Sequence, residues 1–428
     1  MKVLMFGWEF PPNISGGLGT ACLGITKSLS AFPEIELTFV VPKTYGNEPV
    51  ENIRLIGANE IDLIASKIKV ERLCGPHTFL SIKSGILPYI DPEDYKKICK
   101  PIEKSETAET NRLLQSIEFT GKYHPDLMTE IYNFSVVAEY IAKQGNYDII
   151  HAHDWLTFPA GILAKKVTGK PLLIHVHATD FDRGGGKANP AVFEIERAGM
   201  EAADGIIAVS NHTSKTIQDK YGISPSKLFT VHNGVEPFTF DIKPRTSLKK
   251  KIKTVTFLGR ITTQKGPRFF IEVAQKILAR MKNVEFVMAG DGDLLNTMKD
   301  CVLRLGISDK FHFPGFLIGK QVKELLTRSD VYIMPSISEP FGISPLEAMY
   351  LKVPVIISKQ SGVSEVINHA IKLDFWDTEA IADTVYSILT RPAIRKMMIK
   401  EGAMEARKIN WETSASKLVD IYKLFLAA

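Results

Sequence analysis

Short runs of apolar residues alternate with segments of helical periodicity along most of this sequence, and this alternation limits the possible folds more than any other feature. The run 206–209, for example, is apolar at every position. Such runs are typical of parallel strands that are covered on both faces. Because strands separated by helices indicate βαβ units, the sequence predicts an α/β fold with parallel sheets.

The alternation occurs in two series, and each series predicts one Rossmann-like domain. The first predicts strands at 2–7, 35–41, 147–152, 171–176, 205–209 and 228–232, with helices at 19–31, 128–143, 156–168, 190–203 and 210–221. The second predicts strands at 254–258, 284–289, 310–313, 330–334 and 353–357, with a helix at 268–280. An amphipathic helix at 412–426 follows them.

The length of 428 residues fits two domains of ordinary size. We therefore predict an N-terminal domain at 1–240 and a C-terminal domain at 254–409, which face each other across a cleft. The segment 58–125 breaks the alternation and is interpreted as an insertion in the first domain, near the cleft. The segment 237–253 is interpreted as a solvated linker that contains a basic run.

Composition narrows the class of ligand and the compartment. The net charge of +5 fits a small anionic ligand and falls short of what a nucleic-acid-binding protein shows. The four cysteines form no CxxC pair, which favours reduced thiols in a cytoplasmic protein. No uncharged stretch reaches the roughly 18 residues of a membrane-spanning helix, and the first apolar run is too short for a signal peptide. We expect no nucleic-acid partner and no membrane insertion, and the oligomeric state stays open.

A glycine-rich loop follows the first predicted strand. Gly16, Gly17 and Gly19 lie where this strand gives way to a helix. Glycine lets a ligand approach the backbone closely, and free N–H groups at a helix start attract phosphate. The alternative interpretation is a plain strand-to-helix turn.

Two polar motifs follow later strands of the first domain. His151–Trp155 contains Asp154, and His175–Arg183 contains His177. Ligands of open parallel sheets bind beyond the carboxyl ends of the strands, so these side chains are candidates for binding sugar hydroxyls. The His-x-His pattern also suggests a metal, but no further ligand lies near it in the sequence. Two histidines, two aspartates and an arginine within nine residues are costly to bury, which favours a functional role for the second motif. The alternative interpretation is a structural polar network.

The first predicted strand of the second domain ends in Gly259-Arg-Ile-Thr-Thr-Gln-Lys-Gly266. Arg260 and Lys265 are placed to flank a diphosphate, the first as a fork of donors and the second as a point charge. A leaving diphosphate gains negative charge during glycosyl transfer, so cations beside it stabilise the transition state more than the ground state.

The segment Glu339-Pro-Phe-Gly-Ile-Ser-Pro-Leu-Glu347 predicts the other half of a donor site. A helix that begins near Ile343 would present free N–H groups to phosphate. Glu347 on that helix is spaced to accept hydrogen bonds from a ribose diol, and Glu339 in the loop to bind sugar hydroxyls. Phe341 and Gly342 are predicted to line the donor with Ile343.

With these motifs the chain resembles the retaining glycosyltransferases of the GT-B fold, and among them the glycogen and starch synthase group. Glu339 and Glu347 are similar to the family's pair of glutamates separated by seven residues, and Arg260 and Lys265 to its diphosphate-binding pair. Gly16-Gly17-Leu18 is similar to the N-terminal donor loop. His151–Trp155 resembles a strand end of the synthases, and His177 the histidine beside the donor sugar.

The resemblance implies transfer of glucose from ADP-glucose or UDP-glucose to an α-1,4-glucan, with no metal and no bound cofactor. It implies catalytic roles for His177, Asp154, Glu339, Arg260 and Lys265, and a C-terminal helix, 410–428, that crosses back to the first domain. The chain departs from bacterial glycogen synthases at two places. Those enzymes carry a lysine shortly before the paired glycines, whereas this chain has Ser15 next to them, and they carry cysteine where this chain has Phe341.

Three alternatives remain open at this stage. One is a transferase of the same fold that moves another sugar to a lipid or small-sugar acceptor. The second is a different reaction on the same fold, such as a nucleotide-sugar epimerase or a phosphorylase with lysine-bound pyridoxal. The third is a glucan-binding protein without catalysis.

Overall fold

The computed structural model describes residues 1–14, 16–49, 52–61, 119, 121, 127–237 and 252–427. The interpretations of 58–125 as an insertion and of 237–253 as a linker concern residues that lie mostly outside this described part. Ser15, Cys74 and Cys99 also lie outside it. The other two cysteines, Cys22 and Cys301, are free thiols.

The first sheet is built from residues 2–230. Its strands are β1 Lys2–Phe6, β2 Glu36–Val41, β3 Arg54–Gly57, β4 Ile149–His153, β5 Leu172–Val176, β6 Gly205–Ala208 and β7 Leu228–Thr230. The helices around it are α1 Gly17–Leu29, α2 Leu127–Gln144, α3 Phe158–Thr168, α4 Asp180–Arg183, α5 Pro190–Ala202 and α6 Asn211–Tyr221. The strand order is β3-β2-β1-β4-β5-β6-β7, and the neighbouring strands pair in parallel.

The second sheet repeats this architecture. Its strands are β8 Lys253–Leu258, β9 Val284–Ala289, β10 Phe311–Gly315, β11 Val331–Met334, β12 Val355–Ser358 and β13 Ile371–Leu373. The helices are α7 Pro267–Arg280, α8 Leu295–Arg304, α9 Lys320–Arg328, α10 Ile343–Tyr350, α11 Thr378–Thr390 and α12 Pro392–Ala406. The order β10-β9-β8-β11-β12-β13 is again parallel. The prediction of two Rossmann-like parallel-sheet domains is confirmed.

The apolar runs are buried because helices cover both faces of each sheet. Val3 and Met5 of β1 pack into a cluster with α1, whereas Leu4 and Phe6 of the same strand pack into a cluster with α2 and α3. Successive side chains of a strand point to opposite faces, so a fully apolar run serves two cores at once.

The last helix, α13 Trp411–Ala427, packs against α1 and contributes Trp411 and Tyr422 to the core on that face of the first sheet. Trp411 lies so close to Gly24 of α1 that a Cβ at this glycine would stand 2.2 Å from the indole ring. A helix that follows the second sheet therefore completes the core of the first.

Seven of the described strands and helices were not predicted from the sequence: β3, β13, α4, α8, α9, α11 and α12. β13 has three residues, all partly exposed, which is too short for a strand pattern to stand out. Its pairing with β12 supplies the hydrogen bonds that the local sequence does not specify. Across the described ranges, no helix combines the length and apolar composition that a bilayer crossing requires.

Candidate active site

The carboxyl ends of the two sheets face each other, and hydrogen bonds join the loops that follow their strands. Ser338, after β11, donates to the carboxylate of Asp182, after β5, at 2.5 Å. Ser210, after β6, donates to the carbonyl oxygen of Pro340 at 2.5 Å. The first two N–H groups of α6 donate to the carboxylate of Glu365 at 2.8–2.9 Å. The polar strand ends of both domains thus meet in one cleft region.

Lys265 and Glu339 are brought together from different loops of the second domain. The Lys265 Nζ and a Glu339 carboxylate oxygen form an ion pair at 2.5 Å, with 20% and 6% of the two side chains exposed. Gly266, with φ 64°, allows this contact because a Cβ there would lie 2.1 Å from the carbonyl oxygen of Pro335. The glycine that follows the lysine therefore lets the loop after β8 pack against the loop after β11.

Arg260 lies at the start of the same loop. Its guanidinium donates to the side-chain oxygen of Gln264 at 3.3 Å. The backbone around it is closely packed, since Ile261 exchanges hydrogen bonds with the tip of β9 and a Cβ at Gly290 would stand 1.9 Å from the carbonyl oxygen of Gly259. Arg260 thus follows a closely packed strand end.

The loop before α10 holds Glu339 and leaves the helix start open. Glu339 is 5% exposed, and its backbone N–H donates to the carbonyl oxygen of Gln360 at 2.9 Å. Gly342 adopts φ 98°, which favours glycine, and α10 begins at Ile343 without a side-chain cap. Uncapped N–H groups and the helix dipole favour an anion at this end.

Glu347 is half-buried one turn into α10. Burial raises the pKa of Glu347 to about 7, and the positive charge of Lys323 opposes the rise. Hydrogen bonds donated to this carboxylate by hydroxyl groups would favour its ionised form.

The side chain of Phe341, which was predicted to line the donor, is buried. Its side chain is 2% exposed and packs in the apolar cluster that contains Met334 and Leu346. The side chain belongs to the core, so a contact of this residue with a donor is left to its backbone.

In the first domain, Asp154 is held by three partners. One carboxylate oxygen accepts the backbone N–H groups of His177 and Ala178 at 2.6 and 3.4 Å, and the other pairs with Arg183 at 3.2 Å. Asp154 is 4% exposed and has φ 58°, a left-handed conformation that aspartate tolerates better than most residues. The contacts indicate that Asp154 orients the His177 segment. Its carboxylate is buried and paired, and it is not exposed to solvent.

A buried carboxylate that the sequence analysis did not single out supports Arg183 from the other side. Glu196, in the middle of α5, pairs with Arg183 at 3.1 Å and accepts a hydrogen bond from Tyr221. Burial raises the pKa of Glu196 to about 8, and Arg183 opposes the rise. A glutamate inside a helix ordinarily faces solvent, so only its tertiary partners reveal this role.

Four histidines form a stacked cluster on one face of β4 and β5: His151, His153, His175 and His177. Neighbouring rings stack with centroids 4.4–5.5 Å apart. At one end His151 Nδ1 lies 2.6 Å from the Tyr422 hydroxyl of α13, and at the other His153 Nδ1 lies 2.9 Å from His177 Nε2. Burial lowers the pKa of all four rings, to about 3 for His151, so they are neutral at pH 7.

The cluster supplies the third histidine that a metal site would need, since ring nitrogens of His151, His153 and His175 lie within 4.8 Å of one another. Imidazole lone pairs lie in the ring plane, and zinc binds them at about 2.0–2.1 Å. These rings are stacked with interplanar angles of 9–26°. Their lone pairs therefore run side by side and do not converge on one ion.

The three glycines of the N-terminal loop play two different parts. Gly19 is required by packing, since a Cβ there would lie 2.2 Å from Ile14. Gly16 and Gly17 have open space within 4 Å of an added Cβ, and Gly16 starts α1 without a side-chain cap. The open pair leaves room for a ligand at this helix start.

Comparison with known families gives matches over most of the chain. Residues 239–404 match the family model described as "Glycosyl transferases group 1". Residues 104–237 match the model described as "Glycosyltransferase Family 4". The boundary between the two matches falls at 238, between the two sheets.

Individual relatives match over nearly the whole length. An uncharacterised glycosyltransferase of Methanocaldococcus jannaschii is 27% identical, over 99% of this chain and 98% of that protein. A glycogen synthase of Mycobacterium tuberculosis is 22% identical, over 99% of this chain and 94% of that protein. Among solved structures, sucrose-phosphate synthase from Thermosynechococcus elongatus superposes with a TM-score of 0.72 at 18% identity, over 100% of both chains.

Proposed function

We propose that this chain transfers a sugar from a nucleoside diphosphate sugar with retention of anomeric configuration. The match of residues 239–404 to the group 1 glycosyltransferases and that of 104–237 to glycosyltransferase family 4 support this proposal. The observation that carries this proposal is the ion pair between the partly buried Lys265 and the buried Glu339, in the loop that leads to the uncapped start of α10. This pair supports the proposal because a cation and a carboxylate that could bind a sugar diphosphate lie in the loops near a helix start without a side-chain cap.

In this proposal the donor diphosphate binds to Arg260, Lys265 and the N–H groups at the start of α10. Lys265 turns from the Glu339 carboxylate toward the phosphate, and Glu339 becomes an acceptor for hydroxyl groups of the sugar. Glu347 accepts the ribose hydroxyls. Gly16 and Gly17 admit the diphosphate from the opposite side of the cleft, and Gly342 and Ile343 contact it through their backbone.

The transfer itself exchanges one bond at the anomeric carbon for another. The bond from this carbon to the diphosphate oxygen breaks, and the acceptor hydroxyl oxygen forms its bond on the same face. The departing phosphate oxygen takes the proton of that hydroxyl, so no protein carboxylate is needed as a nucleophile. Arg260 and Lys265 stabilise the charge that grows on the diphosphate, and Asp154 holds the His177 segment beside the sugar.

We further propose glucose as the sugar, from ADP-glucose or UDP-glucose, and an α-1,4-glucan as the acceptor. The motif resemblance to the glycogen and starch synthases and the full-length match to a glycogen synthase support this choice. Transfer of another sugar to a lipid or small sugar is the second candidate. It is favoured by the buried Phe341, which stands where bacterial synthases carry cysteine.

The test is a panel of nucleotide sugars that carry glucose, galactose, mannose or N-acetylglucosamine, each with and without glycogen. We expect release of the nucleoside diphosphate that depends on glycogen, and an α-linked product by NMR, with the same rate after treatment with EDTA. Release with another donor and acceptor would replace the glucan proposal. Binding of glycogen with no turnover on any donor would contradict transferase activity.

A further inference from the structure

The rings of His153 and His177 are joined by a hydrogen bond that the transfer mechanism above does not use. His153 is the last residue of β4, and His177 follows β5 at the cleft. His153 Nδ1 and His177 Nε2 lie 2.9 Å apart. His177 is partly exposed, whereas the other three histidines of the cluster are 0% exposed. The bond therefore connects the buried cluster to the one ring that a ligand can reach.

One of these two nitrogens must carry the proton. Burial lowers the pKa of both rings, so each is neutral at pH 7 and has one N–H and one lone pair. If His153 Nδ1 carries the N–H, His177 Nε2 accepts. In that case the single proton of His177 lies on Nδ1.

The other nitrogen of His153 decides between the two arrangements. His153 Nε2 is fully buried, and no atom of the described residues is within hydrogen-bonding reach of it. A proton on Nε2 would leave a buried N–H without an acceptor, which proteins avoid more strictly than an unused lone pair. The proton of His153 is therefore placed on Nδ1, in the bond to His177.

We propose that His153 is a positioning residue that holds His177 in the Nδ1–H tautomer, so that His177 offers a hydrogen-bond donor to a hydroxyl of the bound sugar. This inference rests on the proposed function, in which His177 lies beside the donor sugar. His153 acts through His177 and does not touch the substrate.

The tautomer can be measured without any enzymatic assay. In the full-length protein labelled with ¹⁵N-histidine, long-range ¹H–¹⁵N correlation distinguishes Nδ1–H from Nε2–H rings, and a His177→Gln variant assigns the His177 signals. We expect Nδ1–H for His177 in the native protein and loss of this pattern in His153→Phe. An Nε2–H pattern for native His177 would overturn the inference.

Three variants separate the hydrogen bond from ring stacking. His153→Phe keeps an aromatic ring and removes the donor, whereas His153→Asn keeps an amide donor near the Nδ1 position. His175→Phe is the matched control, because His175 stacks on both rings and its nitrogens bond to none of the described residues. We expect His153→Phe to lower kcat about tenfold with little change in KM. A tenfold change in rate corresponds to the loss of about one hydrogen bond. His153→Asn should recover most of this loss, and His175→Phe should stay within about twofold of the native rate.

The two readouts distinguish failure of this inference from failure of the proposed function. An equal loss in His153→Phe and His175→Phe, or a failure of His153→Asn to recover, would show that stacking matters and would overturn the role of the bond. If the native protein transfers no sugar but shows the His153-dependent Nδ1–H tautomer, the proposed function fails while the assignment of the proton stands. Unfolding in urea checks that each variant is folded.

Discussion

At the scale of single residues, the candidate site depends on charges that the fold keeps in partly dry surroundings. The Lys265 side chain is 20% exposed and that of Glu339 is 6% exposed, so their attraction is screened less than that of a surface pair. The Lys265 ammonium group therefore already lies where a diphosphate is proposed to bind. The ion pair keeps both groups oriented before the donor arrives.

Replacement of this lysine should show how much the cation contributes. We expect Lys265→Ala to lower kcat/KM for the productive donor by about 100-fold or more, because it removes charge stabilisation of the leaving diphosphate. Arg268→Ala is the matched control, since Arg268 lies three residues later, is 78% exposed and pairs only with Glu272 of its own helix among the ion pairs of the described ranges. Its rate should stay close to that of the native protein.

The same replacement leaves the buried carboxylate of Glu339 without its cation, which lowers stability as well as rate. The double variant Lys265→Ala/Glu339→Gln removes the uncompensated charge and should recover the free energy of unfolding, but not the rate. Near-native turnover of Lys265→Ala with every donor would show that the diphosphate binds elsewhere.

At the scale of secondary-structure elements, β4 and β5 carry the histidine cluster because alternate residues of a strand share a face. His151 and His153 are two residues apart, and the parallel register places His153 opposite His175. The face on which they lie is covered by α1 and α13. Two adjacent strands with the His-x-His pattern thus create a set of four neutral rings, of which His151, His153 and His175 are fully buried.

This arrangement predicts that the contribution of the histidine cluster to stability falls in mild acid. Burial lowers the pKa of His151 to about 3 and those of His153 and His175 well below the ordinary value of about 6.5. Below pH 6.5 these three histidines bind protons in the unfolded chain but not in the folded chain, so their contribution to the free energy of unfolding falls as the pH drops. At pH 5.5 the contribution of each ring is lower by about 1.4 kcal/mol, or about 4 kcal/mol for the three. The raised pKa values of Glu196 and Glu347 act in the opposite direction over the same range, because the folded chain takes up protons there that the unfolded chain does not.

Urea unfolding at pH 7.5, 6.5 and 5.5 measures this dependence. In His175→Phe one titrating ring is gone, so the free energy of unfolding at pH 5.5, relative to pH 7.5, should be about 1.4 kcal/mol higher than the same difference in the native protein. Equal pH dependence in the two proteins would contradict neutral burial of His175.

At the scale of the whole molecule, the two domains are tied together by a helix and by loop contacts. α13 follows the second sheet in the chain and packs on α1 of the first domain. The hydrogen bonds from Ser338 to Asp182 and from Ser210 to Pro340 join the facing loops near the candidate site. The cleft is therefore bounded by contacts that both domains must supply.

The helix that returns to the first domain should contribute strongly to stability. Trp411 is 2% exposed against Gly24, so we expect Trp411→Ala to lower the free energy of unfolding by about 3–5 kcal/mol through the cavity it leaves. Leu424→Ala on the same helix is the control. Leu424 is 55% exposed, and its replacement should cost no more than about 0.5 kcal/mol. Urea unfolding would contradict the role of α13 if both variants lost the same amount.

Much of the molecule was predictable from local patterns. The apolar runs at 2–7 and 205–209 mark buried parallel strands because such strands face two cores, and the helix start at Ile343 follows a glycine in a left-handed conformation. β3 and β13 were missed because they are short and partly exposed. Glu196 was missed because its place inside a helix is typical of a solvent-exposed glutamate.

The sequence by itself determined the kind of fold and the residue types of the site, because hydrophobic periodicity and the chemistry of a motif are local properties. Only the tertiary structure decided what each side chain touches. In the folded chain Asp154 accepts a hydrogen bond from the backbone of His177, Phe341 packs in the core, and histidines from two strands stack in one cluster. Those contacts join residues far apart in the chain, and burial then set their charge states, which no short segment specifies.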